Sequence, residues 1–234
     1  MTIRTVAETG STNADMLLLA RDGAEEGLWL RAERQTAGRG RLGRAWLSPD
    51  GNLYASTLVR LRPGNPQPAS LALVAAVALQ EAIAVFGVTA ELKWPNDLLL
   101  HGAKLSGILL ERVGDAVVIG IGVNVAHHPE LPNRPTTSLA AAGTPVVAQT
   151  LLDVLAESFA RWLARWRGEG LGPVRTAWLA AAHPAGTALT ARLPDGSTRE
   201  GLFDGLDPDG ALILRLASGE RHVIHAADVF VIRD

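Results

Sequence analysis

The chain contains no cysteine among its 234 residues. This absence excludes disulfides, catalytic thiolates and cysteine-bound metals. Long hydrophobic runs are also missing, because the longest apolar stretch, at about 69–79, is too short for a membrane span. No basic and apolar signal segment precedes the first polar motif. We therefore expect a cytoplasmic protein that does not associate with membranes, and 47% apolar residues suffice for one sizeable domain and a small one.

Lysine is almost absent as well. Lys93 and Lys104 are the only two, and they lie around the run Lys93-Trp-Pro-Asn-Asp97, whereas every other strongly basic residue is arginine. An ammonium is a compact point charge, whereas a guanidinium is a planar fork, so the two are not interchangeable at a binding site. Both lysines are therefore candidate site residues. The alternative is that an arginine-favouring genome left two lysines by chance.

A basic, glycine-rich loop stands out between Gly38 and Arg44, where three arginines and three glycines are interspersed without a hydrophobic face. Glycine frees the backbone and arginine supplies forked donors, so the loop is typical of carboxylate or phosphate binding. The alternative is a solvated basic loop. The segment also matches G-x-G-x-x-G, but no helical pattern follows before Pro49, which rejects a dinucleotide-binding fold. The sequence contains no G-x-x-x-x-G-K-[ST] phosphate loop either.

Hydrophobic periodicity predicts a mixture of helices and strands. The predicted helices are 12–23, 69–86 and 149–167, and the predicted strands are 28–33, 52–60, 91–94, 97–100, 105–112 and 116–125. The tryptophans of 149–167 recur at helical spacing, which favours core packing over ligand stacking. After Pro184 the pattern changes to short strands with Asp-Gly turns at 195–196 and 209–210. This change predicts two domains, 1–185 and 186–234.

Five motifs together resemble the ordered motifs of biotin protein ligases. They are Gly10-Ser-Thr-Asn13, Gln35-Thr-Ala-Gly-Arg-Gly-Arg41, Lys93-Trp-Pro-Asn-Asp97, Lys104-Leu-Ser-Gly107-Ile-Leu-Leu-Glu111 and Gly120-Ile-Gly-Val-Asn124. They cover about 8–125, and the stretch 186–234 is similar to the small C-terminal domain of that family. The resemblance implies an α+β fold with a mixed β-sheet and packed helices, like class II synthetases and biotin and lipoate ligases, plus an SH3-like β-barrel at the C-terminus.

The resemblance also implies a ligase reaction. Biotin would be activated by ATP to biotinyl-5′-AMP, and the biotinyl group would pass to a lysine of a biotin carboxyl carrier protein domain, such as an acetyl-CoA carboxylase subunit. Biotin and ATP are then substrates, and Mg²⁺ is the implied metal. Because the first motif begins by Thr9, we expect no helix-turn-helix domain, no nucleic-acid partner and no repressor activity. A homodimer is possible.

The family's functional residues transfer onto matching positions of this chain. The implied biotin-binding residues are Ser11, Thr12, Asn13, Gln35, Gly38, Arg39, Gly40, Arg41, Lys104 and Gly107. The implied ATP-binding residues are Arg41, Arg44, Trp46, Lys93, Asn96, Lys104 and Asn124. The catalytic candidates are Lys104, Arg41, Arg44 and Asp97. Asp97 has two open roles, since it can bind Mg²⁺ or help to deprotonate the acceptor lysine.

Two other functions remain open at the level of sequence. A lipoate or octanoate ligase or transferase shares the fold, so the fold alone does not discriminate. A non-catalytic module that binds biotin or its adenylate is the second alternative. The Arg-Gly loop together with Lys93-Trp-Pro-Asn-Asp97 favours biotin, and the presence of Lys104 and both phosphate-facing arginines favours catalysis.

Overall fold

A seven-stranded mixed sheet forms the centre of the molecule. A computed structural model describes residues 1–132 and 134–232. The strands are β1 (Thr2–Thr9), β2 (Leu28–Gln35), β3 (Leu53–Arg60), β4 (Glu91–Lys93), β5 (Asp97–Leu100), β6 (Ala103–Val113) and β7 (Ala116–Val123). Their order is β1-β2-β3-β7-β6-β5-β4, with β1 parallel to β2 and all other neighbours antiparallel.

Helices cover both faces of this sheet, because its strands alternate apolar side chains between two layers. The helices are α1 (Thr12–Arg21), α2 (Leu71–Ala84), α3 (Ala148–Glu169) and α4 (Gly172–Ala181). On one face Met16 of α1 packs with Leu28 and Leu30 of β2. The intervening Trp29 points to the opposite layer, where its ring meets Phe159 of α3 edge-on at 5.6 Å. The layer containing Trp29 is the larger core.

A second, five-stranded antiparallel sheet follows the helices. It consists of β8 (Ala188–Arg192), β9 (Thr198–Leu206), β10 (Leu212–Arg215), β11 (Arg221–Ile224) and β12 (Asp228–Val231), in the order β11-β10-β9-β8-β12. Its apolar face packs on the helical layer, where Phe203 meets Trp178 of α4. The indole of Trp94 also donates to the carbonyl of Gly210 at 3.0 Å. The small sheet is thereby fixed beside the β4–β5 turn.

The predicted α+β class with a mixed sheet and a small C-terminal β unit is confirmed. Every predicted helix and strand of the first 185 residues is present within a few residues of its expected bounds. Trp166 is fully buried, as the periodicity of its helix predicted. Two elements, β1 and α4, were not predicted. In the small sheet β11 and β12 form the two ends of the strand order, so closure into a barrel stays a prediction, as does the boundary at 185/186.

None of the four helices in the described ranges has the length and apolar character of a transmembrane segment.

Candidate active site

One pocket, which lies over the middle strands β3, β7 and β6 of the main sheet, brings the sequence motifs together. Its floor is flat because Gly107 of β6 pairs directly with Gly122 of β7. The indole of Trp46 lies on this floor. A methyl group at Gly122 would lie 2.7 Å from Cε2 of Trp46, and one at Gly107 would lie 3.1 Å from Cζ3. Any side chain at either position would therefore intrude into the pocket.

One end of the pocket is lined by buried, uncharged polar groups. The Thr12 backbone N–H donates to Oε1 of Gln35 at 2.8 Å, and the Thr12 hydroxyl lies 3.1 Å from the same oxygen. Ser56 Oγ lies 2.8 Å from Thr12 Oγ1 and 2.9 Å from Asn13 Oδ1. Thr12 and Asn13 are the first two residues of helix α1, and both are buried. This end suits a neutral ligand ring that carries both donors and acceptors.

The other end of the pocket is strongly basic and centres on Asp97. Lys104 Nζ lies 2.5 Å from Asp97 Oδ1, Arg134 contacts Oδ2, and Lys93 Nζ lies 3.9 Å from Oδ2. Burial alone would raise the pKa of Asp97, but the three cations outweigh it and hold that pKa below its usual range. Burial lowers the pKa of Lys104 against the pull of Asp97, and it lowers the pKa of Lys93 to about 8. The Asp97 carboxylate thus holds the side chains of Lys93, Lys104 and Arg134 close together.

Strand pairing explains why these charges meet. Lys93 of β4 pairs with Asp97 of β5, and Asp97 pairs in turn with Gly107 of β6. The segment that carries Arg134 runs beside the start of β6, because the Lys104 N–H donates to the Pro135 carbonyl at 2.8 Å. Asn124, at the end of β7, donates from its side chain to the Thr137 carbonyl at 3.0 Å and to the Lys104 carbonyl at 3.4 Å. Asn124 therefore holds this segment in place.

The Arg-Gly loop is fastened across the pocket to the small sheet. Arg44 Nη2 lies 2.5 Å from Asp228 Oδ2, and Arg41 Nη1 lies 3.8 Å from Asp228 Oδ1. Arg41 also donates to Asn96 Oδ1 at 3.2 Å. Leu42 at the loop tip has a φ of 57° and a largely exposed side chain. The loop is thus held by charged contacts rather than by apolar packing.

The structure brings the predicted site residues together with one exception. Those that line the pocket are Ser11, Thr12, Asn13, Gln35, Arg39, Gly40, Arg41, Arg44, Trp46, Lys93, Asn96, Asp97, Lys104, Gly107 and Asn124. Gly38 lies behind the wall, where an added methyl group would sit 2.4 Å from the Trp46 carbonyl and 2.6 Å from Ser48 Oγ. Gly38 therefore lies beside Gln35 and supports the wall, and its predicted contact with biotin stays a prediction.

Several lining residues were not predicted from the sequence. They are Tyr54, Ser56, Gly120, Gly122, Arg134, Asp228 and Phe230. Gly120 and Gly122 belong to a motif that was recognised, so their small size was an available signal. Arg134, Asp228 and Phe230 lie outside every motif. With them, the described lining carries six basic and two acidic side chains, which favours a polyanionic ligand.

The residues around Asp97 do not fit a resident Mg²⁺ ion. Both oxygens of Asp97 are already paired with cations, and a hard metal ion prefers several oxygen ligands. Within residues 1–132 and 134–232, no three His, Asp or Glu side chains come close enough to hold a metal together. The metal role predicted for Asp97 has no support in this arrangement.

Two family models match the chain. The biotin/lipoate A/B protein ligase family matches residues 8–124, and the C-terminal domain of biotin protein ligases matches residues 186–231. A biotin–[acetyl-CoA-carboxylase] ligase of Paracoccus denitrificans is 43% identical over 239 aligned residues, covering 96% of this chain and 98% of the relative.

Solved structures agree with the sequence matches. A biotin protein ligase from Aquifex aeolicus in complex with biotin and ATP superposes with a TM-score of 0.87 at 25% identity, covering 99% of each chain. A biotin protein ligase from Leishmania major in complex with biotinyl-5-AMP gives a TM-score of 0.68 at 26% identity, covering 96% of this chain and 99% of the other.

Proposed function

The chain belongs to the biotin/lipoate A/B protein ligase family, and we propose that it activates biotin with ATP and transfers the biotinyl group to a lysine of a carrier protein domain. The observation that carries this proposal is the division of the pocket into a buried, neutral polar end and a basic end. Biotin has a matching division, with a polar cyclic urea at one end and a carboxylate at the other. The cations of the basic end can then neutralise the negative charge of both the biotin carboxylate and the phosphates of ATP.

The reaction requires two anions to meet. A carboxylate oxygen of biotin attacks the α-phosphorus of ATP, the bond to the bridging oxygen breaks, and pyrophosphate leaves with that electron pair. Lys104, Arg41 and Arg44 are proposed to neutralise the charge that builds in this step. Asp97 holds Lys104 and Arg134 at the pocket. In the second step the ε-amine of the acceptor attacks the acyl carbon, AMP leaves, and the nitrogen loses a proton.

Asp97 is a weaker candidate for the base of the second step than for the positioning role. A free lysine has a pKa near 10.4, so the acceptor must lose a proton to react. The cations around Asp97 lower its pKa, and a carboxylate with a lowered pKa accepts a proton less readily. We therefore favour Asp97 as the residue that orders the basic end.

Trp46 is proposed to contact the nucleotide. Its indole Nε1 is buried and has no hydrogen-bond partner among the described residues. An unpaired buried donor costs about 1–3 kcal/mol, which a ligand acceptor would recover. Lys104 Nζ lies 5.5 Å from the centroid of the Trp46 ring, so Trp46 also borders the proposed reaction centre.

The polar end of the pocket favours biotin over lipoate or octanoate. Neither a dithiolane nor an alkyl chain can satisfy the groups around Thr12, Gln35 and Ser56, whereas a cyclic urea offers two N–H donors and a carbonyl. A site built to hydrogen-bond its substrate rejects analogues that lack those groups by about 10⁴–10⁵. The six basic side chains of the described pocket lining favour an enzyme over a simple biotin-binding module.

Exchange between ATP and labelled pyrophosphate tests the adenylation step. The expected result is exchange that depends on biotin and is absent with lipoate or octanoate, together with a mass increase of an added biotin carrier domain. Exchange with lipoate would assign the chain to the other branch of the family. Biotin binding without exchange would identify a binding module and overturn the proposal.

The remaining parts of the proposal concern partner, compartment and organisation. We propose a biotin carboxyl carrier protein domain as the acceptor, by similarity to the Paracoccus relative, and the cytoplasm as the compartment. We also propose 1–185 as the catalytic unit and 186–234 as the accessory unit. The second sheet, which begins at Ala188, supports this division, and Asp228 brings the accessory unit to the pocket.

A further inference from the structure

Glu111 of β6 lies outside the pocket but contacts a residue that lines it. Its Oε2 accepts a hydrogen bond from Asn13 Nδ2 at 2.7 Å, and Asn13 is buried. A carboxylate of this kind can only accept, so the amide of Asn13 must turn its nitrogen towards Glu111. Its oxygen then faces the opposite way, over Gly120, where an added methyl group would lie 2.4 Å from Oδ1.

The hydrogen bonds on the far side of Asn13 leave that oxygen open to a ligand. The Thr12 backbone N–H fixes Oε1 of Gln35, so the Thr12 hydroxyl donates its proton to the same oxygen. The Thr12 hydroxyl therefore accepts from Ser56. Ser56 has a single proton and gives Asn13 Oδ1 at most a shared bond. Asn13 consequently presents an acceptor with spare capacity to the pocket.

We propose that Glu111 is a positioning residue that sets the polarity of the Asn13 amide and thereby selects a ligand ring with an N–H donor. The inference rests on the proposed function, because the ring in question is the cyclic urea of biotin. With the amide reversed, an N–H would face the urea N–H, and two donors would oppose each other. Glu111 would then contribute to biotin recognition without touching biotin.

Arg39 offers a second route by which Glu111 could act. Its Nη2 lies 3.3 Å from the same Oε2 atom, so Glu111 also ties the Arg-Gly loop to the sheet. The two routes differ in what they predict. Loop tethering should affect every ligand of the pocket alike, whereas amide polarity should affect only ligands that donate from the ring.

The first experiment replaces Glu111 by the isosteric glutamine, whose amide can offer either polarity to Asn13. Biotin-dependent ATP–pyrophosphate exchange is measured with biotin and with biotin methylated on a ring nitrogen. For Glu111→Gln we expect the KM for biotin to rise about tenfold with kcat within about twofold, which matches the loss of one hydrogen bond. The preference for biotin over the methylated analogue should fall by a similar factor. Thermal unfolding checks that the variant is folded.

Arg39→Gln provides the matched background, because it removes the loop contact and keeps the Asn13 contact. The effect of Glu111→Gln should persist in the Arg39→Gln protein. If the effect disappears there, Glu111 acts only through the loop and the inference is wrong.

A rescue variant tests the polarity directly. In the Asn13→Asp, Glu111→Gln double variant, the new amide at position 111 donates to the new carboxylate at position 13, which again presents an acceptor to the ligand. The double variant should bind biotin more tightly than Glu111→Gln alone, whereas a purely structural role predicts weaker binding. No rescue, or an unchanged KM in Glu111→Gln, overturns the inference. Absence of biotin-dependent exchange in the wild-type protein would instead refute the proposed function.

Discussion

Removal of the Lys104 ammonium should slow adenylate formation itself. Its side chain is 14% exposed, and its Nζ lies 2.5 Å from Asp97 Oδ1 at the basic end of the pocket. A preorganised charge that meets developing negative charge in such a site is worth about 10²–10³ in rate. We therefore expect Lys104→Ala to form biotinyl-5′-AMP about 10²- to 10³-fold more slowly at saturating biotin and ATP.

The same substitution should leave the protein folded. Breaking a buried ion pair costs about 3–5 kcal/mol when the remaining charge has no other partner. Asp97 retains Arg134 and Lys93 after Lys104 is removed. The expected loss in the free energy of unfolding is therefore smaller, about 1–2 kcal/mol. Urea unfolding at neutral pH measures this loss.

Single-turnover formation of the adenylate is the decisive assay, with Lys104→Met and Lys104→Arg as comparisons. Lys104→Met keeps most of the apolar stem without the charge, so it should be as slow as Lys104→Ala. Lys104→Arg keeps the charge on a bulkier planar fork and should recover only part of the rate. If Lys104→Ala forms adenylate at the wild-type rate, the catalytic charge is not Lys104 and the assignment moves to Arg41 or Lys93.

Three further predictions follow from burial and close contacts. Burial lowers the pKa of Lys93 to about 8 from 10.5, so the folded state binds this proton less tightly than the unfolded chain. Lys93→Met should therefore raise the free energy of unfolding by about 1–3 kcal/mol below pH 8, and this gain should vanish as the pH rises towards 10.5. A gain in the free energy of unfolding that does not change with pH would contradict this reasoning. Gly120→Ala should raise the KM for biotin about tenfold, because the new methyl group would lie 2.4 Å from Asn13 Oδ1. Gly168→Ala is the control and should leave this KM unchanged, since a methyl group there has no neighbour within 4 Å. Equal KM values for the two variants would refute the steric argument. Arg41→Gly should release biotinyl-5′-AMP roughly tenfold to a hundredfold faster, since a charge-assisted bond to phosphate is lost, and an unchanged dissociation rate would exclude that contact.

Long periodic segments were predictable from the sequence because burial imposes their pattern directly. Helix α3 repeats apolar residues at the helical period, whereas β6 and β7 contain apolar runs rich in branched residues that are separated by a Gly-Asp turn. Strand β1 was not predicted because its two partly buried large apolar residues, Ile3 and Val6, pack against opposite layers and therefore show no simple alternation. Helix α4 is short, and its pattern is interrupted by Pro173 near its start. For such elements, tertiary contacts outweigh the local signal.

The site divides in a similar way between motif residues and distant partners. Lys93, Asp97 and Lys104 lie within twelve residues of each other and were recognised together. Arg134 reaches Asp97 from 37 residues away, and Asp228 reaches Arg44 from 184 residues away. Neither Arg134 nor Asp228 has a distinctive local sequence. Their roles depend on chain segments that only the fold brings together.

The sequence by itself determined the kind of chemistry, because residue types such as a rare lysine or an arginine between glycines carry their charge and geometry wherever they lie. It also determined most of the helices and strands, since the spacing of apolar residues along each of them reflects how that element is buried. Only the tertiary structure decided that Asp97 is surrounded by three cations, that Gly38 supports the wall beside Gln35, and that Glu111 orients Asn13. The reason is physical: electrostatic and hydrogen-bond interactions act over a few ångströms of space, and strand pairing brings to that distance residues that are far apart along the chain.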